Sequence, residues 1–290
     1  MTINKTILKR FRYFAPSFKN HLVYLILLLA FMVFLHTVGG QSFIFLMEKF
    51  SLFEMFVIGG FSFYFILFWL LGGAYIYLTL NKKPSFLYKY KIQDHGKGRG
   101  YKVPLSKSIA VVLMNQILGT LPFIFVVFYI MEWRGYDANI AIPAWYVNIF
   151  HIVGMILLQD VFFYINHYIM HKNKFLYKHV HSIHHEYRES IAITTHYVHF
   201  VEHLIGNLFP VFIGAIILLP HPFVVMFWIL LIVMNALHNH SGFAFPYLSY
   251  SVHHDWHHFY FNSSYSSIGL MDKIFKTDAP FEEMIKEKTS

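Results

Sequence analysis

The chain has 290 residues, 57% hydrophobic and 13% charged, with a formal charge of +8 and no cysteine. A soluble domain carries about 25% charged residues, so this deficit points to a membrane protein. The missing cysteine excludes disulfides, thiolate metal sites and cysteine nucleophiles. The positive charge sits in loops between apolar runs, which reads as a topology signal rather than a nucleic-acid footprint.

Four stretches in chain order are long and apolar enough to span a bilayer, which takes roughly 20 residues. They cover about 21–40, 55–80, 108–131 and 145–165, with Pro122 expected to kink the third. The first follows a basic head with Lys5, Lys9, Arg10, Arg12 and Lys19, and is long enough to stay as an anchor. The loop after the second carries Lys82, Lys83, Lys89, Lys91, Lys97, Arg99, Lys102 and Lys107 against Asp94 alone. The loops after the first and third are short and acidic or mixed: Glu48, Lys49 and Glu54, then Glu132, Arg134 and Asp137. Every second loop is basic, which predicts a cytoplasmic N-terminus and a cytosolic start for everything after residue 165. A further apolar region, 204–237, is broken by Leu-Pro-His-Pro at 219–222. Its halves are about 16 residues each, which suits a re-entrant or interfacial hairpin. The expected fold is an all-α integral membrane protein. It has about four transmembrane helices, the hairpin and a cytosolic histidine-rich helical cap. No repeat or linker divides it. One membrane domain covers 1–290, with 19–165 transmembrane and 166–278 histidine-rich, and short loose ends at about 1–18 and 278–290.

Most of the twenty histidines lie in that second region. His167 and His171 form HxxxH. His181, His184 and His185 form HxxHH, and so do His254, His257 and His258, with His253 adjoining. Helical residues three and four apart share a face, so these spacings place imidazoles side by side. Asp160, Tyr164, His167 and His171 form one polar stripe where the fourth span ends, and ionisable groups at that depth read as functional. Isolated histidines such as His21, His36, His95 and His151 read as ordinary polar or interfacial residues, and His221 as part of a turn. Clustered imidazoles repel when protonated and cost desolvation when neutral, and metal coordination compensates for both. Eight or more exceed what one ion takes, so two ions with about four each fit the count. No HExxH is present. Imidazole suits zinc, copper, iron and nickel, and spacing does not choose among them.

HYIMH (167–171), HSIHH (181–185), HNHSGFAFP (238–246) and HHDWHH (253–258) resemble the membrane fatty acid hydroxylase and sterol desaturase superfamily over about 155–278. Within it, HSGFAFP and the stretch from HHDWHH to DKIFKT look like sterol C4-methyl oxidases and cholesterol 25-hydroxylase. TTHYVHFVEHL tilts the likeness to the former. The resemblance implies a non-haem di-iron enzyme with two Fe2+ ions. Such an enzyme uses O2 and two external electrons to hydroxylate or desaturate a membrane lipid or sterol at the cytosolic face. The ligands it implies are His167, His171, His181, His184, His185, His254, His257 and His258, with His240 and His199 as ninth and tenth. His253 is a neighbour of its box rather than part of it. Asp160 and Asp255 are candidate carboxylates orienting a ligand imidazole through its other nitrogen, with a helix N-cap as the alternative for Asp255. Glu202 is a third such carboxylate. Met271 stands where the family has tryptophan, and HFVE lacks the proline of HPAE.

The expected activity is an iron-dependent, O2-using lipid hydroxylase, in first place a sterol C4-methyl oxidase-like monooxygenase. Sterol side-chain hydroxylase, sterol C5-desaturase and fatty acid hydroxylase are alternatives, and a histidine-rich metal transporter is a distant one. Electrons would come from a separate donor such as cytochrome b5 or a ferredoxin-type protein. The basic loop at 81–107 either docks that donor or only sets topology. The location would be the endoplasmic reticulum in a eukaryote or the inner membrane in a bacterium. Asn262-Ser263-Ser264 fits a glycosylation sequon that this topology leaves cytosolic.

Overall fold

A computed structural model describes residues 21–93, 103–137, 141–248 and 251–289. The expectations for the basic head, and for His95, Asp94, Lys97, Arg99 and Lys102 of the basic loop, lie outside the described residues. The described chain is helical, with an isolated antiparallel bridge between Lys91 and Phe243 and no strand among those residues.

Six helices are long and apolar enough to cross a membrane: α1 Leu22–Met47, α2 Glu54–Asn81, α3 Leu105–Trp133, α4 Trp145–Lys172, α5 Phe200–Leu218 and α6 Pro222–His240. Three shorter helices follow: α7 Ser251–Tyr260, α8 Leu270–Phe275 and α9 Ala279–Thr289. The expected hairpin is therefore a pair of helices of 19 residues each. At 1.5 Å per residue each is about 28 Å long, close to the ~30 Å of a hydrocarbon core. Both outgrow the reading of 204–237 because their polar ends, Glu202 and His203 in α5 and His238 and His240 in α6, remain helical. Leu219, at φ 49°, ends α5. His221 then accepts the Phe223 N–H at the start of α6, and Pro222 occupies the first turn, where its missing N–H costs nothing. His221 is thus a helix cap.

α3 holds Pro122 without ending. A wide π turn at Asn115–Thr120 immediately precedes it and absorbs the missing hydrogen bond. α5 has the same arrangement, a π turn at His203–Leu208 ahead of Pro210. α4 runs seven residues past the apolar stretch, so His167 and His171 are borne on the span itself. α4 and α5 lie unusually close. A Cβ on Gly214 would come within 2.9 Å of the Met155 Cα, so only glycine permits that approach.

One end of the bundle collects the chemistry. The start of α1 meets the segment after α6 (Val23 N–H to Tyr247 O, 3.2 Å), and Tyr75 near the end of α2 meets His238 (2.9 Å). Ser108 near the start of α3 meets Tyr187 (2.8 Å). His171, Glu202 and His240 mark the same end of α4, α5 and α6. Alternating helices arrive there by their N- and C-termini in turn, as an antiparallel bundle requires. The α5–α6 hairpin therefore leaves and returns at the histidine end. The basic loop is tied to that end by Ile92 N–H to Gly242 O and Ala244 N–H to Tyr90 O, both 2.9 Å. Its Lys91 is buried and paired with Glu189 at 3.0 Å, so that charge is not available to a docking partner.

Candidate metal centre

Nine histidines converge in two adjoining groups. His167, His171, His181, His185 and His257 form the first, and His184, His240, His254 and His258 the second. Within each group the candidate ligand atoms lie within 4.8 Å of one another. In the first, the Nε2 atoms of His171, His181, His185 and His257 stand 2.8–3.2 Å apart along the close pairs. In the second, His240 Nε2 lies 2.8 Å from that of His254 and 3.3 Å from that of His184, and His254 lies 3.1 Å from His258.

The spacing rule needs one correction. Each HxxHH run does not present three imidazoles to one place. Residues 181–186 wind as a 3-10 helix and α7 as an α-helix, yet both runs divide alike. The i, i+4 pair stays together (His181 with His185, His254 with His258), and the third histidine, His184 or His257, crosses to the other group. Each run thus contributes to both groups, which binds the two into one centre.

Five of the nine turn Nδ1 to an oxygen. His167 meets Tyr265 O at 2.7 Å, His257 meets Ser263 O at 2.7 Å, His258 meets Tyr187 O at 3.1 Å, and His240 meets Ala236 O at 2.9 Å. His181 meets the Glu202 carboxylate at 2.7 Å. A carbonyl only accepts, so in those four Nδ1 carries the proton and Nε2 presents a lone pair. Burial, reinforced by neighbouring imidazoles, holds His184, His185, His254, His257 and His258 well below the usual imidazole range; burial takes His181 down to about 3. Neutral rings then bring their Nε2 atoms to about 3 Å from one another, a cluster of nitrogens that a shared cation would suit. Around an ion with ~2.0–2.1 Å bonds to nitrogen, ligands 90° apart are about 2.9 Å from each other, and tetrahedral ones about 3.4 Å. The observed separations fall there, so the residues fit a metal pair with nitrogen ligands.

Other expected site residues stand elsewhere. His199 belongs to neither group: its Nδ1 accepts the Val201 N–H at the start of α5. The backbone is turning into the helix there, so this ring serves as a cap. His253 is also outside both groups, 3.9 Å from Asp272 and against Phe281. Asp160 touches no imidazole. Its carboxylate accepts from Ser266 Oγ and from the backbone N–H of Ser267, Ile268 and Met271. Asp272 accepts from Tyr265 and Ser266 N–H in the same loop. Together they clamp the segment whose Tyr265 carbonyl holds His167, so Asp160 acts on a ligand at one remove. Asp255 likewise touches no imidazole and caps nothing, being interior to α7; it accepts from Gln93 Nε2 at 2.8 Å. Burial raises its pKa to about 7 against the Gln93 hydrogen bond and Lys91. The roles of Asp272, Gln93 and Lys91 rest on tertiary neighbours; of these only Asp272 had a sequence signal, its place in the DKIFKT ending.

The centre opens on two internal spaces. A small cavity of about 120 Å³ is lined by His167 and His181 of the first group, His184, His240 and His254 of the second, and apolar side chains such as Ile124 and Phe212. A larger chamber of about 700 Å³ shares His254, Gln159, Asn235 and Asn239 with it and runs along Leu28 of α1, Ile156 of α4 and Leu231 of α6 to α9.

A bundle of spanning-length helices ending in paired histidine groups over an apolar cavity is the arrangement of a membrane protein whose histidines could hold metal. Comparison with known proteins narrows it. Residues 152–277 match the fatty acid hydroxylase family model. Methylsterol monooxygenase 2-1 of Arabidopsis thaliana is 30% identical over 264 residues, covering 83% of this chain and 94% of that protein. Fatty acid hydroxylase domain-containing protein 2 of Homo sapiens is 28% identical over 229 residues, covering 79% and 68%. A very-long-chain aldehyde decarbonylase of Oryza sativa is 29% identical over 230 residues, covering 72% and 85%. No solved structure matches the chain significantly. The chain belongs to the fatty acid hydroxylase/sterol desaturase superfamily.

Proposed function

We propose that this protein is an iron-dependent membrane lipid hydroxylase, with a sterol C4-methyl group or a comparably placed carbon as its target. The observation that carries the reading is the small cavity, walled on one side by histidines of both groups and otherwise largely by apolar side chains. Two bound irons would supply O2 activation and attack on an unactivated C–H bond. The chain's own part is to hold, orient and keep dry. Glu202 and the carbonyls of Tyr265, Ser263, Tyr187 and Ala236 fix the imidazole tautomers, so that every Nε2 they control faces inward. Phe68, Ile124 and Phe212 exclude bulk water from the reacting carbon.

The larger chamber supplies an entry route. Within α1, Leu22–Phe34 has no fully buried residue, and Tyr24, Leu25 and Leu28 line the chamber against α4 and α6. A lipid would enter from the bilayer past this lightly packed helix. Lys82, Lys83 and Lys89 lie in the loop tied to the histidine end and Lys107 in the first turn of α3, which supports a cytosolic site under the positive-inside rule. The chain carries no motif for a haem or flavin, so electrons would arrive from a separate carrier such as cytochrome b5 or a ferredoxin-type protein.

The test is anaerobic reconstitution with ferrous iron, addition of a reductase and carrier, then air, with lipid mass spectrometry. A methylsterol gaining one oxygen atom only when iron, O2 and reductant are all present supports the reading. Metal flux across vesicles without O2 consumption would sink it.

A further inference from the structure

A chain of hydrogen bonds that no ligand histidine uses runs through the wall of the small cavity. Trp69 Nε1–H donates to Gln116 Oε1 at 2.9 Å. Indole is only a donor, so this contact fixes which end of the Gln116 amide is oxygen. Gln116 Nε2–H then donates to the Tyr64 hydroxyl oxygen at 2.9 Å. The Tyr64 hydroxyl also meets His196 Nδ1 at 2.9 Å, and with Tyr64 as the donor of that contact the chain runs in one direction. An Nδ1 that accepts puts the ring proton on Nε2. His196 therefore ends the chain as a donor, and among the described residues nothing accepts from that Nε2.

The ring is held on its other sides. It stacks on Phe68 with centroids 4.8 Å apart, and His203 meets it edge-on at 4.9 Å. His203 is fixed in turn by Thr120 Oγ1 at 2.8 Å. Gly119 makes the room, since a Cβ there would lie 2.8 Å from the His203 ring. His196 is only half-buried although it sits inside the bundle, and it lines the small cavity with Tyr64, Thr120 and the ligand histidines. A rigid, oriented donor thus stands in the same ring-sized space as the metal groups. A cavity of 120 Å³ takes about one six-membered ring, given that an engineered apolar cavity of roughly 150 Å³ binds benzene. The remainder of a lipid must lie in the adjoining chamber. The end that enters the small cavity is therefore the end that reacts.

We infer that His196, oriented by Trp69, Gln116 and Tyr64, donates a hydrogen bond to a hydroxyl or carbonyl oxygen of the substrate. It thereby selects lipids whose reacting carbon lies within a few bonds of such an oxygen. This rests on the hydroxylase reading and sharpens it. A methyl group beside a ring hydroxyl satisfies the geometry, whereas a mid-chain methylene or a hydrocarbon terminus leaves the donor unpaired, which a buried site penalises.

The test is equilibrium binding to the purified full chain in nanodiscs, in metal-free and iron-loaded forms. One probe pair is cholestanol with cholestane and the other octadecan-1-ol with octadecane; members of each pair differ only by the hydroxyl. The wild type should prefer the hydroxylated member of at least one pair by roughly tenfold, the worth of one net hydrogen bond; which pair it is separates a ring from a chain. His196→Phe, which keeps the stacking, and Tyr64→Phe should bring the ratio near one. His196→Gln, which keeps a donor amide, should restore part of it. Tyr75→Phe is the control. It deletes the Tyr75–His238 contact of the same kind and length, and neither residue lines the two spaces, so the preference should persist. A wild type with no preference in either pair, or a His196→Phe protein that keeps the wild-type ratio, would overturn the inference. Binding needs neither turnover nor a donor, so this result stands apart from failure of the hydroxylase reading.

Discussion

The five-histidine and four-histidine groups draw on the same two HxxHH runs, but what stands behind them differs. In the first, His181 leans on a buried carboxylate, Glu202, and His167 on a loop clamped by Asp160 and Asp272. In the second, the identified supports are two backbone carbonyls, of Ala236 and Tyr187. A carboxylate behind an imidazole raises its basicity and fixes its orientation more strongly than a carbonyl does. The second group instead has the better access, for His254 borders both the small cavity and the chamber. The contrast implies a division of labour, in which an ion in the first group would be held firmly and one in the second would be the one reached by substrate.

Ligand deletion should give the largest effect. His254→Ala leaves the second group three ligands and should empty it, halving the metal content and abolishing turnover. His257→Ala leaves four in the first group, so turnover should collapse with less metal lost. Metal analysis of both variants beside an activity assay decides this, and the reverse ranking would break the comparison. Glu202→Gln should come next. It should weaken the first site about 10–100-fold, while a chelator titration shows the second site unchanged. Equal weakening of both would mean the carboxylate serves the centre as a whole. Asp160→Asn should act on the loop before the metal, lowering stability by about 1–3 kcal/mol through imperfectly satisfied buried groups, as read from thermal unfolding. The smallest effect belongs to His199→Ala, which removes a cap worth at most about 1 kcal/mol and should leave metal content unchanged. Loss of an ion there would return His199 to the ligand set.

Much of this centre is legible in the amino-acid sequence, for physical reasons. The apolar runs encode the spanning-length helices locally. HxxxH encodes a shared face, and the i, i+4 pairs His167–His171, His181–His185 and His254–His258 each share a group. The division of each HxxHH run is not legible, because it depends on how the 3-10 segment and α7 approach each other. His199 sits in a family-like stretch, yet its ring is taken up by a backbone N–H two residues on. Asp160 and Asp255 have the right charge and position in the chain, but their oxygens are claimed by Ser266–Met271 and by Gln93. The full length of α5 and α6 is hidden because polar ends such as Glu202 and His240 do not look like membrane helix. They stay helical because their side chains point into the centre. The Trp69–Gln116–Tyr64–His196 chain joins residues up to 132 positions apart, and no local pattern announces it.

The most direct measurement is metal analysis, with X-ray absorption, of the wild-type chain purified from iron-supplemented cells. Two irons per chain, each in a predominantly nitrogen shell, are the predicted result. A single ion per chain, or two of zinc with iron excluded under anaerobic loading, would contradict a two-iron centre built from these nine histidines.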